Sequence, residues 1–173
     1  MAIDLTLKGT GITNRDATPR VLNSPGSGGA GRMYRRYGYL ASVTASLSIT
    51  SIIRLVSVPA GATVVSLYFQ SGAQTAGKFD IGLYKAISDV SAGTVVDADY
   101  FASAVDCASA VVRTDVLNES TTNTIAKQNQ ALWAAAAGLS ADPMIWYDIA
   151  LTVVTTDVTT GTGAVALEVI YTI

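Results

Sequence analysis

The chain has 173 residues, of which half are apolar and 14% are charged, and its formal net charge is −2. It contains no histidine and one cysteine, which excludes Ser-His-Asp and Cys-His catalysis, imidazole and thiolate metal sites and an internal disulfide. The sequence has no apolar run near the ~20 residues of a transmembrane helix and no secretory signal pattern, so we expect no membrane association. A globule of this length buries roughly 70% of its unfolded surface, enough for one self-supporting domain.

The charge is distributed unevenly along the chain. Six basic residues against two acidic ones give residues 1–40 a net charge of +4, whereas five against eleven give residues 41–173 a net charge of −6. This asymmetry predicts a basic N-terminal arm, residues 1–38, on an acidic body, residues 39–173.

A glycine-rich stretch, "SPGSGGAG" at 24–31, contains the spacing G-x-G-x-x-G found in dinucleotide sites. No buried strand precedes it, and no acidic residue lies between Asp16 and Asp80 to bind a ribose. We therefore interpret it as a flexible hinge rather than a nucleotide site.

After the hinge, "RMYRRYGY" at 32–39 places three arginines and three tyrosines within eight residues. These residue types are enriched at binding hot spots, which favours a protein interface. Packing of the arm on its own acidic body and binding to nucleic acid are the alternatives, and the low count of basic residues argues against nucleic acid. The candidate interface residues are Arg20, Arg32, Tyr34, Arg35, Arg36 and Tyr37.

From Tyr39 onward, apolar residues recur with period two, which is typical of half-buried strands. The pattern predicts consecutive antiparallel strands at 42–50, 51–58 and 64–70, then a strand at 78–85. Residues 107–117 are a weaker strand candidate, and we expect a short helical turn within 97–106.

The C-terminal part contains the clearest signals. Good helix formers at 126–137, followed by Gly138 and Pro143, predict one short helix that covers an end of the sheets. Alternating apolar residues at 145–153 and 165–173 predict a long antiparallel hairpin. The expected fold is an all-β, jelly-roll-like antiparallel sandwich with one short helix and an extended N-terminal arm.

No catalytic or metal site emerges from the acidic residues. Asp97 and Asp99 lack the further oxygen ligands of a calcium loop, and we expect one of them to cap a turn. Asp80, Asp148 and Glu168 each lie between inward apolar neighbours, so we expect outward strand positions rather than a glycosidase pair. Cys107 is expected to be a buried small side chain. These features predict a protein that is not an enzyme and has no cofactor.

Four segments together resemble a known family. They are "VSVPAGATVVSLYFQ" (56–70), "KFDIGLYK" (78–85), "DADYFASAVD" (97–106) and "QALWAAAAGLSADPMIWYDIALTVVTT" (130–156). In this order they resemble segments of the small proteins that decorate or cement the capsids of tailed bacteriophages. The resemblance covers roughly residues 52–173.

The resemblance implies a β-sandwich body without catalysis that attaches across junctions between major capsid proteins. We accordingly expect a virion protein on the capsid surface, made in the host cytoplasm, that forms a homo-oligomer (dimer or trimer) and binds neither nucleic acid nor membrane. Such a protein stabilises the shell by mass action, because it binds the assembled lattice and not the separated subunits.

Two other functions fit parts of the sequence. A carbohydrate-binding module of a tail or fibre appendage would use Trp133, Trp146 and Tyr147 as a stacking platform, although Trp133 on the predicted helix favours the core. A small jelly-roll coat protein that packages RNA would carry a far more basic arm than +4.

Overall fold

The computed structural model describes residues 32–43, 47–74, 77–88, 91–155, 158 and 163–173. Within these ranges the chain forms ten strands and one short helix, with α1 at Leu132–Ala135. The strands are β1 Met33–Leu40, β2 Ile52–Pro59, β3 Thr63–Ser71, β4 Lys78–Lys85, β5 Ile87–Ser88, β6 Ser91–Ala92, β7 Val95–Asp106, β8 Val111–Asp115, β9 Trp146–Val154 and β10 Val165–Thr172.

Eight of the strands form two four-stranded sheets. The first sheet has the order β1-β10-β3-β8 and the second has the order β2-β9-β4-β7, and every neighbouring pair is antiparallel. Except for β4 and β7, which both belong to the second sheet, successive strands of the two sheets alternate between them, as in a jelly roll. The predicted all-β sandwich with one short helix is therefore confirmed.

The core lies between the two sheets and follows the predicted period of two. The inward side chains of β9, Tyr147, Ile149, Leu151 and Val153, are fully buried. Those of β10, from Val165 to Tyr171, are buried in the same way because alternate residues of a strand point to the same face. Cys107 is buried as expected, and burial raises the pKa of its thiol to about 11.

The predicted pairing of strands is wrong at two places. β9 and β10 do not form a hairpin, because β9 pairs with β2 and β4 while β10 pairs with β1 and β3. Likewise β2 and β3 lie in different sheets. Periodicity determines which residues face the core but carries no information about which strand lies alongside, and the connections cross between the sheets.

Two local predictions also differ from the structure. Residues 97–106 lie within β7 instead of forming a helical turn. Of the strand expected at 42–50, the described positions contain only an isolated bridge between Leu47 and Val158, with residues 44–46 outside the described residues.

The predicted helix is reduced to one turn, because two amides from the middle of the predicted range do not bond within a helix. The amides of Leu132 and Trp133 donate to the carbonyls of Ala62 and Ala60 in the turn that joins the sheets. This anchors the helix at one end of the sandwich, as predicted. Gly138 has a φ of 63°, which is the expected left-handed stop. No described helix is long and apolar enough to cross a bilayer.

The start of the body differs from the boundary predicted between residues 38 and 39. All eight residues of β1 pair with β10, from Met33 opposite Thr172 to Leu40 opposite Val165. The compact unit that contains both sheets accordingly begins at Met33. The rest of the proposed arm, residues 1–31, lies outside the described residues.

Candidate interaction surface

β1 is an edge strand whose two sides have different surroundings. Tyr37 lies opposite Glu168, and Gly38 lies opposite the buried Leu167. Because directly paired residues project to the same face, Arg35, Tyr37 and Tyr39 point to the outer face of the first sheet. Tyr37 and Tyr39 are 58% and 57% exposed there.

The centre of this outer face is a carboxylate held by two arginines. Arg35 Nε donates to Glu168 Oε1 at 2.6 Å, and Arg113 Nη2 lies 3.4 Å from the same oxygen. The hydrogen bond from Arg35, helped by the charge and hydrogen bond of Arg113, lowers the pKa of Glu168 to about 2. In return, the hydrogen bond and charge of Glu168 raise the pKa of Arg35. Glu168 is therefore ionised at any physiological pH.

An aromatic ring continues the cluster across the sheet. The guanidinium carbon of Arg113 lies 3.4 Å from the ring centroid of Tyr68, a cation–π arrangement. Shallow depressions beside this pair are lined by tyrosine, arginine and glutamine side chains. We call this surface the open face; it consists of Arg35, Tyr37, Tyr39, Tyr68, Gln70, Arg113 and Glu168.

The other side of β1 packs on the sandwich itself. Tyr34 stacks on Tyr171 with ring centroids 5.5 Å apart. Arg36 Nε donates to the Tyr171 hydroxyl at 3.2 Å, and its guanidinium carbon lies 4.9 Å from the centroid of the Trp146 ring. At Gly38 any Cβ would overlap the carbonyl group of Leu55, so only glycine permits this close approach of β1 to β2.

The candidate residues from the sequence are thus divided between two environments. Arg35 and Tyr37 belong to the open face, whereas Tyr34 and Arg36 contact Tyr171. Arg32 is exposed immediately before β1, and Arg20 lies outside the described residues. Arg35 and Arg36 both bond to β10, so these two residues pack on the body, which was one of the alternatives for this segment.

Sequence reasoning missed most of the open face. Tyr39, Tyr68, Gln70 and Arg113 were not singled out, and Glu168 was considered only as an acid. For Tyr68, Gln70 and Glu168 the available signal was the period of two, because each occupies the polar side of a strand whose other side is apolar.

The outer face of the second sheet is covered by the chain itself. Leu83 and Ile81 of β4 pair with Asp97 and Ala102 of β7. The segment of β7 between these two partners is longer than that of β4, so β7 carries extra residues there. Its backbone at Ala98 lies so close to Gly82 that an added Cβ would overlap it. We call this surface the covered face; its buried outward residues are Gly82, Tyr84, Ala150 and Thr152.

Polar groups on the covered face are paired internally. Arg54 donates to Asp148 at 2.8 Å and to the carbonyls of Lys85 and Gly93 at 2.9 and 2.5 Å. Ser57 donates to the other oxygen of Asp148 at 2.5 Å. The Tyr84 and Thr152 hydroxyls share a hydrogen bond. This face is a packed layer with little polar capacity left for a partner.

Two acidic residues of the second sheet accept hydrogen bonds from nearby backbone amides. Asp80 accepts from the amide of Ala104, and Asp97 accepts from the amide of Asp99. Burial, reinforced by Asp99, raises the pKa of Asp97. No group of three or more metal-ligating side chains occurs among the described residues.

The aromatic platform considered for sugar binding is not formed. Tyr147 is fully buried between the sheets, whereas Trp146 is 46% exposed on the opposite side of the same strand. Trp133 packs partly buried against the core. The three rings therefore do not share one surface.

Two solved structures of phage capsids contain chains with this fold. The chain from "Cyanophage Pam1 capsid asymmetric unit" is 16% identical, with 91% of this chain and 96% of that chain covered and a TM-score of 0.53. The chain from "Capsid of Ralstonia phage GP4" is 14% identical, with 83% and 85% covered and a TM-score of 0.57. No family model and no curated protein matches the sequence. At these identities the similarity establishes the two-sheet fold.

Proposed function

We propose that this chain is a structural protein of a phage virion that binds the outside of the assembled capsid and cements or decorates it by bridging major capsid subunits. The fold shared with chains of two phage capsids, over more than four-fifths of each chain, supports a capsid protein. It acts without catalysis or a cofactor, as a homo-oligomer on the virion surface, after synthesis in the host cytoplasm. It binds neither nucleic acid nor membrane.

The observation that carries the proposal is the contrast between the two outer faces. Exposed tyrosines and arginines on a rigid sheet suit a protein interface, because tyrosine covers a large area at low entropy cost and arginine presents five hydrogen-bond donors on a planar group. The open face presents Tyr37, Tyr39 and Arg113 in this way, whereas the chain itself fills the covered face. We therefore assign capsid attachment to the open face, with Arg32 and Arg20 as further contacts from the preceding segment.

Attachment is tested by binding the purified chain to capsids that lack it, followed by sedimentation and electron cryo-microscopy. Replacing Tyr37 and Tyr39 together by Ala should weaken binding at least tenfold, because truncation of a hot-spot tyrosine typically costs about 2 kcal/mol or more. Val95→Ala is the matched control, since Val95 is 56% exposed on the other sheet. Density at junctions between capsid subunits is expected.

Three results contradict the proposal. If the wild-type chain does not bind the capsids, the proposed role is wrong. If the tyrosine double variant binds as tightly as wild type, the open face is not the site of attachment. Closed shells assembled by the chain alone indicate a coat protein instead.

The arginines give a less direct test. Replacing Arg32, Arg35 and Arg36 together lowers the melting temperature as well as binding, because two of them bond to β10. Arg32→Ala alone isolates the contribution of the segment before β1: weaker capsid binding at unchanged melting temperature supports its role.

A further inference from the structure

The two edges of the first sheet differ in charge. β1 is one edge and carries Arg35 and Arg36 with no carboxylate in its eight residues. β8 is the other edge and ends in Asp115, an exposed carboxylate. Within the described residues neither strand has a partner on its outer side. Exposed edges of this kind are templates for pairing with another strand.

The direction of the strands favours a repeating contact. The sheet has four strands and every neighbouring pair is antiparallel, so β1 and β8 run in opposite directions. A second copy placed beside the first in the same orientation therefore brings its β1 antiparallel to β8. The ladder of the sheet would continue across the two copies without a reversal of strand direction.

One register matches the side chains of the two edges. With Arg35 opposite Asp115 of the next copy, Tyr37 lies opposite Arg113. The match ends there, because an irregularity in β8 turns Val111 towards the core. The first pair joins opposite charges and the second places a guanidinium beside a ring. Arg35 keeps free donors for this contact, because only its Nε bonds to Glu168 and its side chain is 65% exposed.

We infer that copies of this chain associate head to tail through β-strand addition, with β1 of one copy pairing along β8 of the next in the register that joins Arg35 to Asp115. A symmetric β1–β1 contact instead places the arginines of both copies on one short ladder, which is repulsive. A two-fold dimer uses the same patch on both copies, so this contact is not that of a two-fold dimer; it closes into a ring such as a trimer when successive copies are rotated about a common axis. It gives the proposed homo-oligomer an interface.

Cysteine cross-linking of the free protein tests the contact. Tyr37→Cys and Arg113→Cys are made in separate chains, with wild type as the control because its own cysteine, Cys107, is buried. Mixing the two variants under mild oxidation should give a cross-linked pair, whereas each variant alone gives none. Efficient cross-linking of Tyr37→Cys with itself, or none in the mixture, overturns the inference.

Sedimentation provides a measurement that does not depend on the cysteine variants. Asp115→Asn should weaken self-association about threefold or more by removal of one charge pair per contact. Asp106→Asn is the matched control: both carboxylates are exposed and accept from the amide two residues onward, but Asp106 lies in the second sheet. A protein that stays monomeric at every concentration, or equal effects of the two variants, contradicts the contact. Sedimentation of the Tyr37 and Tyr39 double variant without capsids shows whether its weaker attachment comes from lost self-association, so either proposal can fail without the other.

Discussion

The outer faces of the two sheets differ in what covers them: the chain itself covers the second sheet, whereas the first sheet faces solvent. Each sheet has one side in the common core, and its other side must be wetted, covered or bound by a partner. On the second sheet, β7 and the Arg54 network fill the outer layer, so that Tyr84 and Ala150 are buried away from the core. On the first sheet, the same layer consists of side chains that reach into solvent.

This difference separates stability from recognition within one fold. Residues of the covered face contact backbone from distant parts of the chain and therefore hold the sandwich together. Residues of the open face contact mainly each other, as Arg113 does with Tyr68 and Glu168. Changes on the open face should thus alter binding with little loss of folding free energy, whereas changes on the covered face should do the reverse.

The largest expected difference concerns outward positions on central strands. Gly82→Val drives a side chain into the backbone at Ala98 and should lower the free energy of unfolding by about 3 kcal/mol. Ser66→Val on β3 introduces the same residue at an outward position of the first sheet and should change stability by less than about 0.5 kcal/mol. Denaturant unfolding of both variants measures the difference. Similar losses would show that the first sheet is covered as tightly as the second.

A smaller difference is expected between two arginines. Arg54→Ala removes three hydrogen bonds and leaves Asp148, whose side chain is 15% exposed, without its cation, which should cost about 2 kcal/mol. Arg113→Ala removes a more exposed contact and should cost less than about 1 kcal/mol. Thermal unfolding of the two variants compares them. If Arg113→Ala is the more damaging, the open face has a structural role that its exposure does not reveal.

The sequence was sufficient for the core and insufficient for the pairing. Strict alternation in β9 and β10 identified the inward residues correctly, because a strand with one side in a core must alternate. The same alternation is compatible with any neighbouring strand, and so the two strands were wrongly joined as a hairpin. β7 was missed because its pairing with β4 is irregular and Ala104 has a φ of 52°, which interrupts the simple period.

The open face was harder to predict for a related reason. It combines side chains from four strands, and Arg35, Tyr68, Arg113 and Glu168 are brought together only by the order of the first sheet. β1 itself gave no strand signal because arginines and tyrosines lie on both of its sides, so no apolar stripe marks it. Only the composition of 32–39 indicated an interface. Of the candidate residues in that stretch, Arg35 and Tyr37 lie on the open face.

The smallest expected effect has opposite signs on the two sheets and depends on pH. The pKa of Glu168 is lowered from 4.5 to about 2 by Arg35 and Arg113, so its charge stabilises the fold above pH 4.5 and this gain disappears as the pH falls towards 2. Burial raises the pKa of Asp97 on β7 above its ordinary 3.8, so its charge costs stability at neutral pH and protonation relieves that cost.

Glu168→Gln should therefore lower the melting temperature at pH 7 by about 2–4 °C and have little effect near pH 2, since about 1 kcal/mol corresponds to such a shift in a domain of this size. Asp97→Asn keeps an acceptor for the Asp99 amide and should raise the melting temperature slightly at pH 7. Calorimetric scans of both variants from pH 2 to 7 measure the two profiles. If both substitutions shift stability in the same direction at pH 7, the charges of the two sheets do not follow the contrast between an open and a covered face.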